Sequence, residues 1–227
     1  MQASSNDTGS VCGRPFKSSL PSSVLAGIQA GTLKNTYRGR RFLKNPFDVV
    51  LYLRLLDRLR PRTVIEIGTH QGGSALWFAD MLDAMNISST VISVDRQPPT
   101  NLVDGRISFR SGDAISLEST LEEESLTKLS HPWLVIEDSA HTFPVCLAVL
   151  RFFDQHLAQG DYIVIEDGIV ADLPGKVYEN YANGPNRAVA AFLSERSNDY
   201  AIDTELCDHF GYNATYNPNG WLRRVRS

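Results

Sequence analysis

The chain of 227 residues is predicted to fold as an α/β domain: a doubly wound, mostly parallel sheet with an antiparallel C-terminal strand pair and an N-terminal helical extension. Three observations predict it. Short runs rich in Val and Ile alternate with helix-length stretches, as parallel strands with right-handed crossovers require. The runs "WLVIED" and "YIVIED" are continuously apolar before their acids, which fits strands buried on both faces. Beyond residue 197 the rhythm breaks, and two strand-like segments follow without a helical crossover between them.

Taken in order, residues 1–18 read as a disordered lead, small and polar at its start. Residues 19–60 form the helical extension or lid, and residues 61–227 the α/β domain. From Asn45 to Leu59, Phe47, Val50, Leu51, Leu55 and Leu59 recur at helical intervals; Pro46 suits a first turn and Pro61 closes the segment. Strands are expected at Thr63 to Gly68, Val91 to Asp95, Ile107 to Ser111, Trp133 to Asp138 and Tyr162 to Asp167. Helices are expected at Gly73 to Ala84, Leu117 to Leu129, Phe143 to Leu157 and Asn186 to Ser197. "YAIDTEL" and "GWLRRV" supply the closing antiparallel pair.

Composition narrows the function classes. A formal charge of −4 offers no basic excess for nucleic acid, and the cations Lys34, Arg38, Arg40, Arg41 and Lys44 read as a solvated or lid-like stripe, or as a phosphate site. Cys12, Cys146 and Cys207 are far apart and odd in number, against a disulfide framework or thiolate zinc. No apolar run has the length of a membrane span, and the first residues lack the order of a signal peptide. A cytoplasmic protein is expected, without membrane or nucleic-acid partners.

The stretch "VIEIGTHQGGS" sets the ligand class. In an open parallel sheet, ligands sit beyond the carboxyl ends of the strands, where strand order reverses. Gly68, Gly72 and Gly73 permit a close backbone approach, and the helix starting near Gly73 or Ser74 offers free amides to an anionic group. A dinucleotide fingerprint needs GxGxxG, but His70 stands at its second glycine, which argues against NAD. Asp95, closing the second strand, is placed to accept both hydroxyls of a ribose, and Asp113, after the third, an adenine amino group. Together these describe a pocket for an adenosine joined to an amino acid.

This pattern resembles the class I S-adenosylmethionine-dependent methyltransferases, a Rossmann-like family whose opening loop has the form E-x-G-x-x-x-G. The resemblance implies that Glu66 orients the loop or the methionine ammonium. Amides from Gly68 through Thr69, His70, Gly72 and Gly73 to Ser74 would serve the methionyl part. Asp95 with the adjoining Arg96 would border ribose, and Gly112 with Asp113 adenine.

A second set of acids arrives at neighbouring strand ends: Asp138, Glu166 and Asp167. Packed together they would repel unless protonated or bridged by a cation. Hard oxygen ligands favour magnesium, with manganese or calcium as substitutes, over zinc. Glu137 alternates with Asp138 and should face the other way. An ion beside a methyl donor could bind two acceptor oxygens, lower a hydroxyl pKa and fix it in line with the methyl group. His141, three residues after the catalytic acid Asp138, is the first candidate for general base, and His209 is the alternative base or a substrate contact. Residues 171–186, with Tyr178 and Tyr181, suit a mobile loop over the acceptor.

The segments "NPFDVVLY", "VIEIGTHQGGSALWFADML", "VISVDR", "VIEDSAH", "YIVIEDG", "GPNRAVAAFL" and "NPNGWLRR" together resemble the cephalosporin hydroxylase-like and rhamnosyl O-methyltransferase family, from about Arg38 to Arg226. That resemblance implies a magnesium-dependent O-methyltransferase using S-adenosylmethionine on a hydroxyl of a natural product or its sugar, such as a rhamnosyl group. It also implies self-association into a homo-oligomer. "NPNGW" departs from the family's more usual NP-G-G-aromatic ending near the acceptor side. Two other readings stand beside it: a noncatalytic module that binds the donor, and a metal-dependent oxygenase, which lacks a two-histidine, one-carboxylate triad.

Overall fold

The computed structural model describes residues 10–226. A hairpin of β1 (Ser10–Val11) and β2 (Arg14–Pro15) leads to α1 (Ser22–Thr32), a second hairpin of β3 (Thr36–Tyr37) and β4 (Arg40–Arg41), and α2 (Pro46–Leu59). Next come β5 (Thr63–Ile67), α3 (Gly73–Ala84), β6 (Thr90–Asp95), β7 (Ile107–Ser111), α4 (Glu123–Leu126), β8 (Trp133–Glu137), α5 (Phe143–Asp154) and β9 (Tyr162–Ile165). The short α6 (Lys176–Glu179), α7 (Gly184–Glu195), β10 (Tyr200–Ile202), α8 (Thr204–Cys207) and β11 (Trp221–Arg224) complete the chain.

Seven strands form the main sheet in the order β10-β11-β9-β8-β5-β6-β7. β5 to β9 pair in parallel, β11 is antiparallel to β9, and β10 is antiparallel to β11. The chain leaves β5 toward β6 and β7, then returns to place β8 on the other side of β5. A crevice therefore opens beyond the carboxyl ends of β5 and β8, where order reverses.

Residue parity distributes the core over two faces. Ile65, Ile67, Val135 and Ile163 meet α5 and α7 through Val149, Phe153 and Phe192. Val64, Leu134, Ile136 and Val164 meet α2 and α3 through Leu51, Tyr52 and Phe78. Both faces are covered, which is why these strands carry no alternation. Asn45 starts α2 by accepting from the amides of Phe47 and Asp48 at 3.0 and 3.1 Å, a cap worth about 1 kcal/mol.

Several expectations need correction. The five parallel strands lie where the sequence puts them, but three end early, at Ile67, Glu137 and Ile165, so Gly68, Asp138, Glu166 and Asp167 begin loops. The expected helix from Leu117 to Leu129 is a single 3-10 turn, Leu117–Ser119, followed by α4. Leu117, Leu121 and Leu126 still reach the core, but Thr120 is packed against Gly112 and the chain bends to keep that contact. The lead expected to be disordered through residue 18 is structured from Ser10: Val11 and Phe16 enter the core, and Arg14 pairs with Asp208 at 2.8 Å and reaches Asn219. The rest of that expectation, residues 1–9, lies outside the described residues. Within residues 171–186 the chain forms the short α6.

The basic stripe is largely solvent-exposed at Lys34, Arg38 and Arg41, yet several of its cations are paired. Arg38 pairs with Asp80, Arg40 donates to the Gln71 and Asn101 carbonyls, and Arg41 donates to the Leu33 carbonyl; Lys44 is buried. The hairpin they stiffen lies against the start of α3. Among the described residues no helix is long and apolar enough to cross a membrane. Cys12, Cys146 and Cys207 are free thiols.

Gly73 marks the docking point: a β-carbon there would lie 2.0 Å from the Arg41 carbonyl oxygen. Gly73→Ala is expected to lower stability by about 1–3 kcal/mol in urea unfolding and to expose the 33–45 segment to protease. Gly27, with nothing within 4 Å of an added β-carbon, is the control. Gly27→Ala should be neutral or stabilising by up to about 1 kcal/mol, and a wild-type midpoint for Gly73→Ala would contradict the docking contact.

Candidate active site

Parallel register builds the acid rim. Glu137 pairs with Ile165 across β8 and β9, so the next residues, Asp138 and Glu166, leave the sheet side by side. Both continue the parity of Ile136 and Val164 toward the face covered by α2 and α3. Glu137 points the other way, where its carboxylate accepts from the Ser139 hydroxyl at 2.6 Å near Cys146. Asp167 follows in a left-handed conformation, φ 59°, and its amide donates to Asn217 Oδ1 at 3.1 Å. The "NPNGW" turn thus holds the backbone of an acid rather than only bordering an acceptor.

Asp138, His141 and Asp167 each turn one ligand-type atom to a common point, all within 4.8 Å of one another. His141 Nε2 lies 3.4 Å from Asp167 Oδ2 and 3.9 Å from Asp138 Oδ1. Tyr181 packs edge-on against the His141 ring, centroids 5.7 Å apart, whereas Tyr178 joins the small cluster of Leu25, Ile169, Leu173 and Tyr216. His209 is exposed and meets Phe210 edge-on. Glu166 sits deeper than its neighbours: Oε1 accepts from the Tyr52 hydroxyl at 2.5 Å and Oε2 from the Lys44 ammonium at 2.6 Å. The same ammonium donates to Asp138 Oδ2 at 2.5 Å.

Beside this rim lies a cavity of about 410 Å³, lined by Gly68, His70, Asp95, Arg96, Gly112, Asp113 and Asp138 with apolar walls from Val94, Ile115 and Val145. Asp95 is held for its place: Oδ2 accepts from the His70 amide and Oδ1 from the Gln97 amide, both at 2.9 Å, leaving each oxygen a further lone pair. Asp113 accepts from the Ile115 amide at 3.2 Å. Gly68, at φ 107°, has no room for a side chain, since a β-carbon would fall 2.1 Å from the Asp138 carbonyl oxygen. That contact joins the cavity loop to the acid rim.

The remaining expected donor residues lie outside the cavity wall and support it. Thr69 is buried and shares a 2.7 Å hydrogen bond with Ser93, which donates to Glu66 Oε2 at 2.6 Å. Glu66 is fully buried, and its Oε1 has no hydrogen-bond partner among the described residues. Gly72 caps α3 in a left-handed conformation, and Gly73 and Ser74 are buried in its first turn, Gly73 against Arg41 rather than a ligand. Lys44, Tyr52 and Ser93 are the partners that sequence reasoning passed over. The position of Lys44 directly before the capping "NPFD" was the available signal for one of them.

Burial governs the electrostatics. Loss of hydration raises the Glu166 carboxyl well above its usual range, with Asp138 adding to the rise and Lys44 opposing it. Burial also raises Asp167, with His141 pulling it back, and raises Glu66 against the pull of Lys44. On the far face burial pushes Glu137 up to about 7, and beneath the rim it pushes Asp48 up to about 6 despite hydrogen bonds from Thr215, Asn45 and Tyr216.

A doubly wound sheet ending in β10 and β11, with a nucleoside-sized cavity at its reversal point and no dinucleotide fingerprint, defines a class I S-adenosylmethionine-dependent methyltransferase, and comparison with known proteins makes it an O-methyltransferase. The family model described as Rhamnosyl O-methyltransferase/CmcI matches residues 31–225. This chain belongs to that family. The rhamnosyl O-methyltransferase of Mycobacterium tuberculosis is 32% identical over 199 residues, covering 84% of this chain and 78% of the relative. That of Mycobacterium leprae is 31% identical over 197 residues, covering 83% and 82%. Among solved structures, apo CmcI is 29% identical with TM-score 0.66, covering 86% of this chain and 78% of that one. CmcI with magnesium and S-adenosylmethionine is 28% identical with TM-score 0.65, covering 85% and 77%.

The raised carboxyls give stability a definite slope. A group whose folded pKa exceeds its unfolded value stabilises the folded state below the unfolded pKa, and that contribution is lost as pH rises through the folded one. For Asp48 and Glu137 the window runs from their ordinary values near 4 to about 6 and about 7. His156, lowered by burial, works weakly against them. Metal-free protein should therefore melt roughly 5 °C higher at about pH 5.5 than at about pH 8. A flat or opposite slope by calorimetry would show that these acids are not buried as described.

Proposed function

We propose that this chain transfers the methyl group of S-adenosylmethionine to a sugar hydroxyl of a glycosylated natural product, with magnesium bound at the acid rim. One observation carries the reading: Asp138 belongs both to the wall of the 410 Å³ cavity and to the cluster with His141 and Asp167. A donor in that cavity and a cation on that rim would be neighbours. The likeness to rhamnosyl O-methyltransferases over most of both chains supports a rhamnosyl or related deoxysugar acceptor, and the CmcI structure with magnesium and S-adenosylmethionine supports the pairing of ion and donor.

The residues fit both groups. Asp95, fixed by two amides, has lone pairs left for ribose hydroxyls, Asp113 borders the adenine side, and Glu66, buried behind the cavity wall and bonded to Ser93, steadies the loop that forms it. Asp138 and Asp167 supply hard oxygen ligands, and Glu166, whose oxygens are held by Tyr52 and Lys44, adds negative charge behind them. An ion held by these residues would supply Lewis acidity to lower the pKa of a vicinal hydroxyl. His141 then takes the hydroxyl proton at Nε2, with Asp167 beside it to stabilise the imidazolium that forms. Tyr181 keeps the ring in place, and the Gly68 to Asp138 contact keeps the cavity in register with the rim. The transferred group passes as a methyl cation equivalent from sulfonium to oxygen, leaving S-adenosylhomocysteine.

Incubation with labelled donor, magnesium and a panel of rhamnosylated compounds, read by mass spectrometry against an EDTA control, tests the reading. Methylated product that depends on the ion is expected. Asp167→Ala should abolish turnover while donor affinity by calorimetry stays within about threefold; His141→Gln should lower kcat by about 100-fold or more. Turnover unchanged in Asp167→Ala removes the metal from the mechanism, and donor binding without product across the panel would make the chain a noncatalytic donor-binding module.

A further inference from the structure

Lys44 is an ammonium placed where a cation site would have its greatest negative charge. It is buried, at 3% exposure, and its Nζ lies 2.5 Å from Asp138 Oδ2 and 2.6 Å from Glu166 Oε2. It comes from the N-terminal extension, outside the sheet that carries the acids. Its own backbone is pinned, because its carbonyl accepts from Asn35 Nδ2 at 3.3 Å and its successor Asn45 caps α2. The lysine reaches the cluster from a fixed point, and the other oxygen of Glu166 is held by Tyr52 of α2.

We propose that Lys44 is the resident counter-ion of the acid rim: it holds Asp138 and Glu166 in their places when no divalent ion is present, and its charge weakens the binding of the ion when one arrives. The buried Glu166 and the half-buried Asp138, left without a cation, would repel each other, and Glu166 would lose hydration with no return. The ammonium relieves this in the metal-free protein, so the rim is preformed. Lys44 keeps its bonds through Asp138 Oδ2 and Glu166 Oε2, while Asp138 Oδ1 faces His141 and the common point. Ammonium and ion then share the Asp138 carboxylate from opposite sides and repel each other across it. The extension thus serves the site as a charge donor and is more than a lid.

The proposal rests on the metal-binding reading of the site, and one experiment separates the two. Manganese affinity is measured by electron paramagnetic resonance at one fixed pH, with melting temperature recorded with and without magnesium, for wild type, Lys44→Met and Tyr52→Phe. Lys44→Met is expected to melt lower than wild type without metal, to gain more from magnesium, and to bind manganese roughly tenfold or more tightly. Tyr52→Phe, which removes the other partner of Glu166 without changing charge, should bind manganese within about threefold of wild type. Equal or weaker affinity in Lys44→Met overturns the proposal. Should Lys44→Met not fold without metal, folding regained in magnesium is the expected result and failure to regain it overturns the proposal. Manganese that does not bind wild type overturns the metal reading itself.

Discussion

The parallel pairing of β8 with β9 is the constraint on which the rest depends. Because Glu137 sits opposite Ile165, the two chains leave the sheet in step, and their acids emerge at the same height on the same face. A slip of one residue would send Glu137 to the rim and Asp138 into the apolar layer beneath α5. The register is secured on either side. β5 pairs with β8 through five residues, and β11 closes over β9 with Trp221 and Leu222 in the core.

Once that register is set, repulsion among the acids becomes the problem that the surrounding chain solves. The solution comes from segments remote in sequence. Lys44 and Tyr52 arrive from the extension, Asn217 steadies the Asp167 backbone, and Ser93 satisfies one oxygen of Glu66. Each is buried, so each interaction is strengthened by the low local dielectric and each would be costly to leave half-made. The extension docks by backbone contact at Gly73, which ties the charge of Lys44 to the position of the donor-side helix α3.

Much of this was legible from sequence because strands buried on both faces announce themselves, and because several acids at neighbouring strand ends, though each alone could be a cap, converge on one edge of the sheet. The strand-to-helix turn after Ile67, the terminal antiparallel pair and the meeting of Asp138 with Asp167 all follow from that pattern. What was hidden depended on contacts rather than on periodicity. The stretch from Leu117 to Leu129 has a helical spacing of leucines, yet the seat of Thr120 on Gly112 overrides it. Lys44 reads as one cation among five until the fold buries it. Gly72 and Gly73 look like room for a ligand, but Gly73 yields that room to the Arg41 carbonyl.

The cavity and the acid cluster share Asp138 at one rim, and the proposed function puts the nucleoside in the one and the cation on the other. Anomalous diffraction from a crystal soaked with manganese and S-adenosylhomocysteine tests it most directly. A metal peak is expected between Asp138 and Asp167, with the ribose hydroxyls on Asp95 of the same molecule. A metal peak elsewhere, or a nucleoside bound away from Asp95, would contradict it.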